Sequence, residues 1–366
     1  MNYRLYRKLQ QRIDKISYGF PKSWLGMDLL FLSQVFEPDD ARAFLLMADG
    51  PQTAKDFADA NGISEEEARA TFDRMVMRGQ IFRRHRVDAQ GQPYDEYEQH
   101  PFAMGFLEWQ IKNPKSSWLY SLSLYIISAD WGKRMSQTMP FYRTIPMHKE
   151  FVEGSVVTPY DDIEEVLNRH HRFAVANCLC RTLDKVKPNN PCSHPLETCI
   201  ETDDYATFYI ETGMGREITR DEALAILRDG EKDGRVINVT NSKDGENICS
   251  CCECGCGMLY MKVHYPGPSK DFWGNYYSVI DDEKCITCGA CVKKCPFHVL
   301  SIEPGEAHGR RGTVRVNTPD CLGCGLCVSA CKRDALHLHK KSPDKYYICP
   351  DTYEDAVGEW TRITKR

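Results

Sequence analysis

The sequence predicts an α+β multidomain chain, and three observations predict it. The 366 residues, 42% hydrophobic and 27% charged, suffice for two or three separately packed cores. All eighteen cysteines lie beyond residue 177, in groups at Cys178 to Cys199, Cys249 to Cys256 and Cys285 to Cys331, with Cys349 trailing. Ahead of them, apolar residues recur at helical spacing and then give way to a short hairpin pattern. The divisions set the expected domains: an N-terminal one at 1–104, an aromatic-rich connecting region at 105–160, a cysteine-rich α/β middle domain at 161–275, a repeat-bearing domain at 276–345 and a tail at 346–366.

In the first domain, helices are expected from about Asp39 to Met47, Thr53 to Ala60 and Ser64 to Arg78. Ser64 and Glu67 make a capping box, and Ala68, Phe72, Met75 and Val76 form one buried stripe. A strand over Ile81 to Val87, a turn at Gln90-Gly91 and a strand over Tyr94 to Tyr97 follow. Three helices and a hairpin resemble a winged helix-turn-helix, so this domain is read as winged-helix-like. The run Arg83-Arg84-His85-Arg86 favours DNA binding, but the third helix sets Glu65, Glu66, Glu67 and Asp73 against Arg69, Arg74 and Arg78. A major-groove helix presents net positive charge, and the whole chain carries a formal charge of -5. Nucleic acid is therefore not the expected partner, and a docking or packing module is the preferred reading. The aromatic residues between Phe106 and Tyr142 are read as core and partner-facing surface.

The beginning, MNYRLYRKLQQRIDKIS, is charged, and the longest apolar patch, Trp24 to Phe36, is interrupted by Asp28 and too short to span a bilayer. A cytoplasmic protein with no membrane span is expected. In a reducing compartment, so many thiols are read as metal ligands and not as disulfides. No Cys-x-x-Cys-His occurs, which excludes covalently attached haem.

In the middle domain, Asp162 to His170 reads as a helix and Arg172 to Ala176 as a strand delivering Cys178. Thr219 and Glu222 cap a further helix with Ala223, Ile226 and Leu227 on its buried side. The histidines at 170, 171, 194 and 298 are expected to be structural or exposed. No dinucleotide fingerprint, P-loop or nucleophile-base motif is present.

The most specific signal is Cys285-x2-Cys288-x2-Cys291-x3-Cys295-Pro296, repeated as Cys321-x2-Cys324-x2-Cys327-x3-Cys331. This is the bacterial ferredoxin run. Its short spacers let the backbone curl round a [4Fe-4S] cubane and aim N–H groups at the sulfurs, and the fourth cysteine of each run ligates the other cluster. Cluster A is thus expected on Cys285, Cys288, Cys291 and Cys331, and cluster B on Cys321, Cys324, Cys327 and Cys295. Glycines 289, 323 and 325 permit close backbone approach. The flanks Val299 to Ile302 and Ala335 to Leu338 correspond, as short strands of a pseudo-twofold two-cluster ferredoxin fold. Lys332 stands where the first run has Pro296, adding a cation without removing a ligand.

Five thiols crowd the segment Asn247-Ile-Cys-Ser-Cys-Cys-Glu-Cys-Gly-Cys-Gly257. Cys249, Cys252 and Cys256 have C-x2-C-x3-C spacing, and Cys251 with Cys254 forms an interleaved pair. With Cys178, Cys180, Cys192 and Cys199, these thiols cover two more four-thiolate clusters, so about four are expected in all. Zinc in the middle domain is the lesser alternative; a single cluster with unligated thiols is another. The vicinal pair Cys251-Cys252 admits a third, the disulfide chemistry of the CCG domains of heterodisulfide reductases, though the spacing differs. Arg181 is read as a fixed cation beside an anionic cluster, with a surface ion pair as its alternative.

The segments FAVANCLCR at 173–181, TGMGREITRDEALAIL at 212–227, the NIC-x-CC run and the ferredoxin pair together resemble a family of multi-cluster 4Fe-4S ferredoxin-like proteins of anaerobic prokaryotes with an N-terminal winged-helix-like region. The resemblance extends from about Pro38 to Leu338; Gly255 stands where the family often has a further cysteine. It implies electron transfer in anaerobic metabolism beside a partner oxidoreductase. The expected function is an electron-transfer subunit, with no catalytic residues of its own. The alternatives are a redox-sensing DNA-binding regulator and a cluster-based reductase of a disulfide or small substrate.

Overall fold

A computed structural model of the chain describes residues 2–112, 116–136, 141–185, 192–264, 274–307 and 310–364, and all eighteen cysteines fall among them. The N-terminal part begins with two helices that the sequence reading had not singled out, α1 (Tyr3–Ile13) and α2 (Met27–Val35). Then come α3 (Pro38–Leu46), α4 (Ala54–Asn61), α5 (Glu65–Met77) and the antiparallel hairpin of β1 (Phe82–Val87) and β2 (Pro93–Glu98). Local chemistry fixes these ends. Pro38 opens α3 at its first position, where its missing N–H is no loss, and Gly62 closes α4 in the left-handed conformation. The complete capping box belongs to Thr53 and Asp56 at α4, while at α5 the Ser64 side chain accepts from Glu67 N–H.

These elements share an apolar core with α6 (Ser116–Ser128), α7 (Trp131–Ser136) and, from the far end of the chain, α15 (Tyr353–Thr364). Trp360 is fully buried against Tyr18 and Phe141, so the segment read as a tail is part of this core. The aromatic residues Phe106, Trp109, Trp118, Tyr125 and Trp131 lie buried in it as well, whereas Tyr120 is exposed.

The middle part is a six-stranded, wholly antiparallel sheet. Its strands are β3 (Tyr142–Thr144), β4 (Phe173–Asn177), β5 (Glu197–Thr202), β6 (Gly215–Ile218), β7 (Val236–Thr240) and β8 (Asn247–Cys251), in the order β3-β7-β8-β5-β4-β6. The edge strand β3 comes from the region read as a connector. Helices α8 (Ile163–Asn168) and α11 (Arg220–Lys232) cover one face, where Val175, Ile200, Val239 and Ile248 meet Val166 and Leu227. Strand alternation sends the intervening residues to the other face, which carries Glu201, Asn238, Thr240 and Asn247 beside Cys199, Cys249 and Cys251. That face is closed off by α10 (Asp203–Glu211) and the N-terminal core. The short α9 (Leu179–Asp184) follows Cys178, and α12 (Gly257–His264) follows Cys256.

The C-terminal part has internal symmetry. Strands β9 (Tyr276–Ile280) and β12 (Leu336–Lys340) pair antiparallel, as do β10 (Leu300–Ala307) and β11 (Arg310–Val316). Helices α13 (Ala290–Lys294) and α14 (Leu326–Ser329) each carry the third cysteine of a run, and each opens on a left-handed glycine, Gly289 at φ 75° and Gly325 at φ 81°. A side chain at either φ is strained, so the sequence repeat is also a conformational one.

A buried ion pair locks this part to the sheet. Arg143 of β3 donates from Nε to Asp161 Oδ1 at 3.1 Å. Asp161 Oδ2 in turn accepts from Asn275 Nδ2 at 3.1 Å, Tyr276 Oη at 3.3 Å and Tyr346 Oη at 3.2 Å. With both charges satisfied, the pair avoids the several kcal/mol that an uncompensated buried ion costs.

Candidate metal centres

The two C-terminal runs enclose two pockets. Cys285, Cys288, Cys291 and Cys331 line one; Cys321, Cys324, Cys327 and Cys295 line the other. In each, three cysteines come from one run and the fourth crosses from the other, because the pseudo-twofold turns each terminal cysteine toward the opposite site. Backbone N–H groups point at the sulfurs: Thr287 to Cys285, Ala335 to Cys331 and Ser278 to Cys321, each at 3.4 Å. Such donors stabilise an anionic cluster. Lys332 and Arg333 line the first pocket, so the departure from proline places cations there. Cys288 is exposed, whereas Cys321 and Cys327 are buried.

The nine middle thiols divide into two groups, and β8 explains how. Successive residues of a strand point to opposite faces, so Cys249 and Cys251 share one face and Ser250 the other. Side-chain contacts run unbroken through Cys178, Cys180, Cys256, Cys251, Cys249 and Cys199. Cys192, Cys252 and Cys254 form the second group, their sulfurs all within 4.8 Å of one another. The split differs from the one read from spacing, which joined Cys249, Cys252 and Cys256 and set Cys251 with Cys254. Loop spacing does not govern a segment that is extended through Cys251.

Crowded thiols resist ionisation. Cys178 is pushed well above the ordinary thiol range by its hydrogen bond with Cys180 and by burial, and Cys199 likewise by Cys249 and burial. Cys256 differs from these two, held well below that range by hydrogen bonds from Cys180 and Cys251. A bound metal reverses the penalty, because a coordinating thiol is deprotonated outright. An all-sulfur donor set suits iron–sulfur or zinc and does not suit magnesium or calcium. The residues therefore fit a thiolate-bound centre.

Arg181 lies in the interior and, among the described residues, makes no surface ion pair. Its Nε donates to Cys252 Sγ at 3.4 Å, Nη1 to Thr198 Oγ1 at 2.6 Å, and further N–H groups to the carbonyls of Pro195 and Ser250. Burial works against its charge, but Cys178, Cys252 and Cys251 outweigh it once they are thiolates, the form a bound metal requires. Of the histidines, His170 is buried between Asp203 and the Asp244 carbonyl, and His298 is exposed beside Glu253. Cys349 is buried near Arg143 and Asp161, apart from the thiol groups.

Two features escaped the sequence reading. Glu108, Glu201 and Glu246 line a small pocket with Tyr142 and Tyr209, on the same sheet face as Cys199 and Cys249. Burial pushes each of these three carboxyls up to about 7. The Cys199 thiol donates to Glu201 Oε1 and the Cys249 thiol to Tyr142 Oη, both at 3.4 Å. The other feature is Arg235, buried with Nε and Nη1 unpartnered among the described residues. Glu201, two places beyond Cys199 on one strand, was within reach of strand alternation; Glu108 and Arg235 carry no local signal.

An apolar cluster joins the two cysteine-bearing parts. Leu322 and Leu326 of the second run pack with Cys251, Cys256 and Leu259, and Cys324 and Cys180 border the same cluster. Residues 284–335 match the family of 4Fe-4S dicluster domains. No curated protein and no solved structure matches the chain. No helix among the described residues is long and apolar enough to cross a membrane.

Proposed function

We propose that the chain is an iron–sulfur electron-transfer protein or subunit that passes single electrons to or from a partner oxidoreductase. Two [4Fe-4S] clusters occupy the ferredoxin-type sites, A on Cys285, Cys288, Cys291 and Cys331, and B on Cys321, Cys324, Cys327 and Cys295. Two more are held by the middle thiols. Each cluster, when bound, takes up and releases one electron. The observation that carries this reading is the apolar contact between the Cys324 side of site B and Cys180, Cys251 and Cys256. It supports a continuous path from the ferredoxin-type domain into the sheet.

The protein's own residues do the rest. Leu322, Leu326 and Leu259 exclude water between the two sets of thiols, and Arg181 sets a fixed positive charge beside Cys252. The winged-helix-like N-terminal part serves as a packing and docking module. In anaerobic metabolism, as the family resemblance implies, and in the cytoplasm, as the charged N-terminus leads one to expect, the partner is a redox enzyme.

Iron, acid-labile sulfide and zinc per chain, measured on anaerobically purified protein together with reduced-state EPR, test this reading. Four cubanes correspond to about sixteen iron and about sixteen sulfide, with no zinc. About eight of each, with zinc present, would confine the redox chemistry to the ferredoxin-type domain and make the middle thiols a structural clasp.

A further inference from the structure

We propose that the outer faces of α1, α2 and α6 rest on an anionic lipid membrane, so that the chain lies on the bilayer surface without crossing it. This role goes beyond the electron-transfer reading and depends on no cluster.

Helix α6, SSWLYSLSLYIIS, carries no charged residue. A helix without a charged face is ordinarily buried all round, yet Tyr120 is 68% and Ile127 77% exposed, seven residues apart on one face. The neighbouring α2 continues the patch. Trp24, in the turn before it, is 79% exposed, and Leu25 and Leu30 are exposed as well. Trp24 N–H donates to the Ser128 carbonyl at 3.4 Å and Ser121 Oγ to Gln34 Oε1 at 2.7 Å, which sets α2 antiparallel to α6 and brings Trp24 beside Ile127. Contiguous exposed apolar surface marks a protein partner or a membrane.

Charge decides between the two. Residues 2–36 hold six basic side chains and two acidic ones, in a chain whose formal charge is -5. Both acids are engaged: Asp28 is buried on Arg7 at 2.6 Å, and Asp14 pairs with Arg134 at 2.8 Å. Asp130, just beyond α6, faces Lys133 at 3.9 Å. Arg4, Lys8, Lys15 and Lys22 are exposed and join no ion pair among the described residues. Arg4 and Lys8 lie one turn apart on the outer face of α1, and Lys22 is two places from Trp24. The Arg7–Asp28 pair fastens α1 to α2, and all three helices bury their inner faces in one core, so the cations flank the apolar patch. Protein–protein interfaces are depleted of lysine. Tryptophan and tyrosine rings flanked by lysine and arginine suit the headgroup layer of an anionic bilayer, where the rings sit at the apolar boundary and the cations meet phosphates.

Flotation of full-length, anaerobically purified protein with lipid vesicles tests this. The chain should bind phosphatidylglycerol-containing vesicles at about 0.15 M salt and release as salt approaches about 1 M, where the screening length falls to about 3 Å. Binding to pure phosphatidylcholine vesicles should be at least about tenfold weaker. W24Q/I127Q, which changes only exposed side chains, should weaken binding about 10- to 100-fold. K8E/K22E should abolish the preference for anionic lipid, while K232E, on α11 of the sheet domain, should leave it unchanged. Iron content and thermal midpoint, measured on each variant, guard against a folding defect. Failure to bind anionic vesicles at about 0.15 M salt would overturn the membrane role and leave the electron path standing. Equal loss in K232E and K8E/K22E would reduce the effect to general charge attraction and overturn the assigned face. Self-association that W24Q/I127Q abolishes, with no vesicle binding, would overturn the membrane role and give the face to a second copy of the chain.

Discussion

Glu108 shows how one residue's burial becomes a property of the fold. Its carboxyl accepts from Gly105 N–H at 2.9 Å, and burial pushes it up to about 7, as it does Glu201 and Glu246. In the unfolded chain a glutamate titrates near about 4.3. The folded state therefore binds more protons than the unfolded state between about 4.3 and about 7, and stability falls as pH rises through that window. Glu108→Gln keeps the acceptor for Gly105 and removes the titration. Thermal unfolding of the anaerobic protein should show the mutant gaining about 1–3 kcal/mol on wild type between pH 5 and pH 8, one pKa unit being worth about 1.36 kcal/mol. A constant difference across that range would mean that the carboxyl titrates normally. None of this was legible in the sequence, because Glu108 and Glu246 meet only through the packing of the N-terminal core on the sheet.

At the scale of elements, β1 and β8 teach opposite lessons. The basic run in β1 was visible in the sequence, but its partners were not. Arg83 pairs with Glu211 at 2.7 Å, Arg86 with Asp204 at 2.9 Å, and His85 with Glu211 at 2.9 Å, all on α10. Arg84, 7% exposed, bonds Glu98 and Glu354. The hairpin is thus fastened to the sheet domain by charges that a duplex would need. Duplex DNA should bind with nothing tighter than about 10⁻⁶–10⁻⁴ M at physiological salt, which is the non-specific range. Arg84→Ala removes one of two partners of the half-buried Glu98 carboxylate, the other being His100 Nε2 at 3.2 Å, and should destabilise by about 1–3 kcal/mol in denaturant titrations. Tighter duplex binding by the intact chain would reopen the regulator reading.

In β8 the converse holds: the partners were anticipated and their assignment was not. One segment serving two sites follows from the interleaved thiols, but which thiol goes where depends on whether the backbone is a loop or a strand. In the C-terminal runs the spacing itself dictates the loop, so the cysteines gathered in each pocket could be named in advance. In β8 the ladder with β7 and β5 imposes a period of two. It keeps Cys249 beside Cys251 and directs Cys252 toward Arg181. The ligand pattern is readable from sequence only where the cluster-binding loop has no competing secondary structure.

For the whole molecule, exposure gives the proposed path a direction. Cys288 and its neighbour Ile286 are at the surface, the cysteines of site B are more enclosed, Cys324 borders the cluster shared with Cys180 and Cys251, and Cys254 returns to the surface. On the path proposed above, a one-electron donor would meet site A, and the middle thiols lie beyond site B. Cys288→Ser removes a ligand at an exposed position, so the fold should persist with the other sites loaded, and iron should drop by about four per chain. Reduction of the remaining clusters by a protein-sized donor should then slow at least tenfold in stopped-flow absorbance, while a small donor such as dithionite, which can reach Cys254, is much less affected. Equal slowing with both donors would show that the substitution damages the middle clusters themselves. No slowing with either would place the entry point elsewhere on the surface, and the direction argued from Cys288 would be lost.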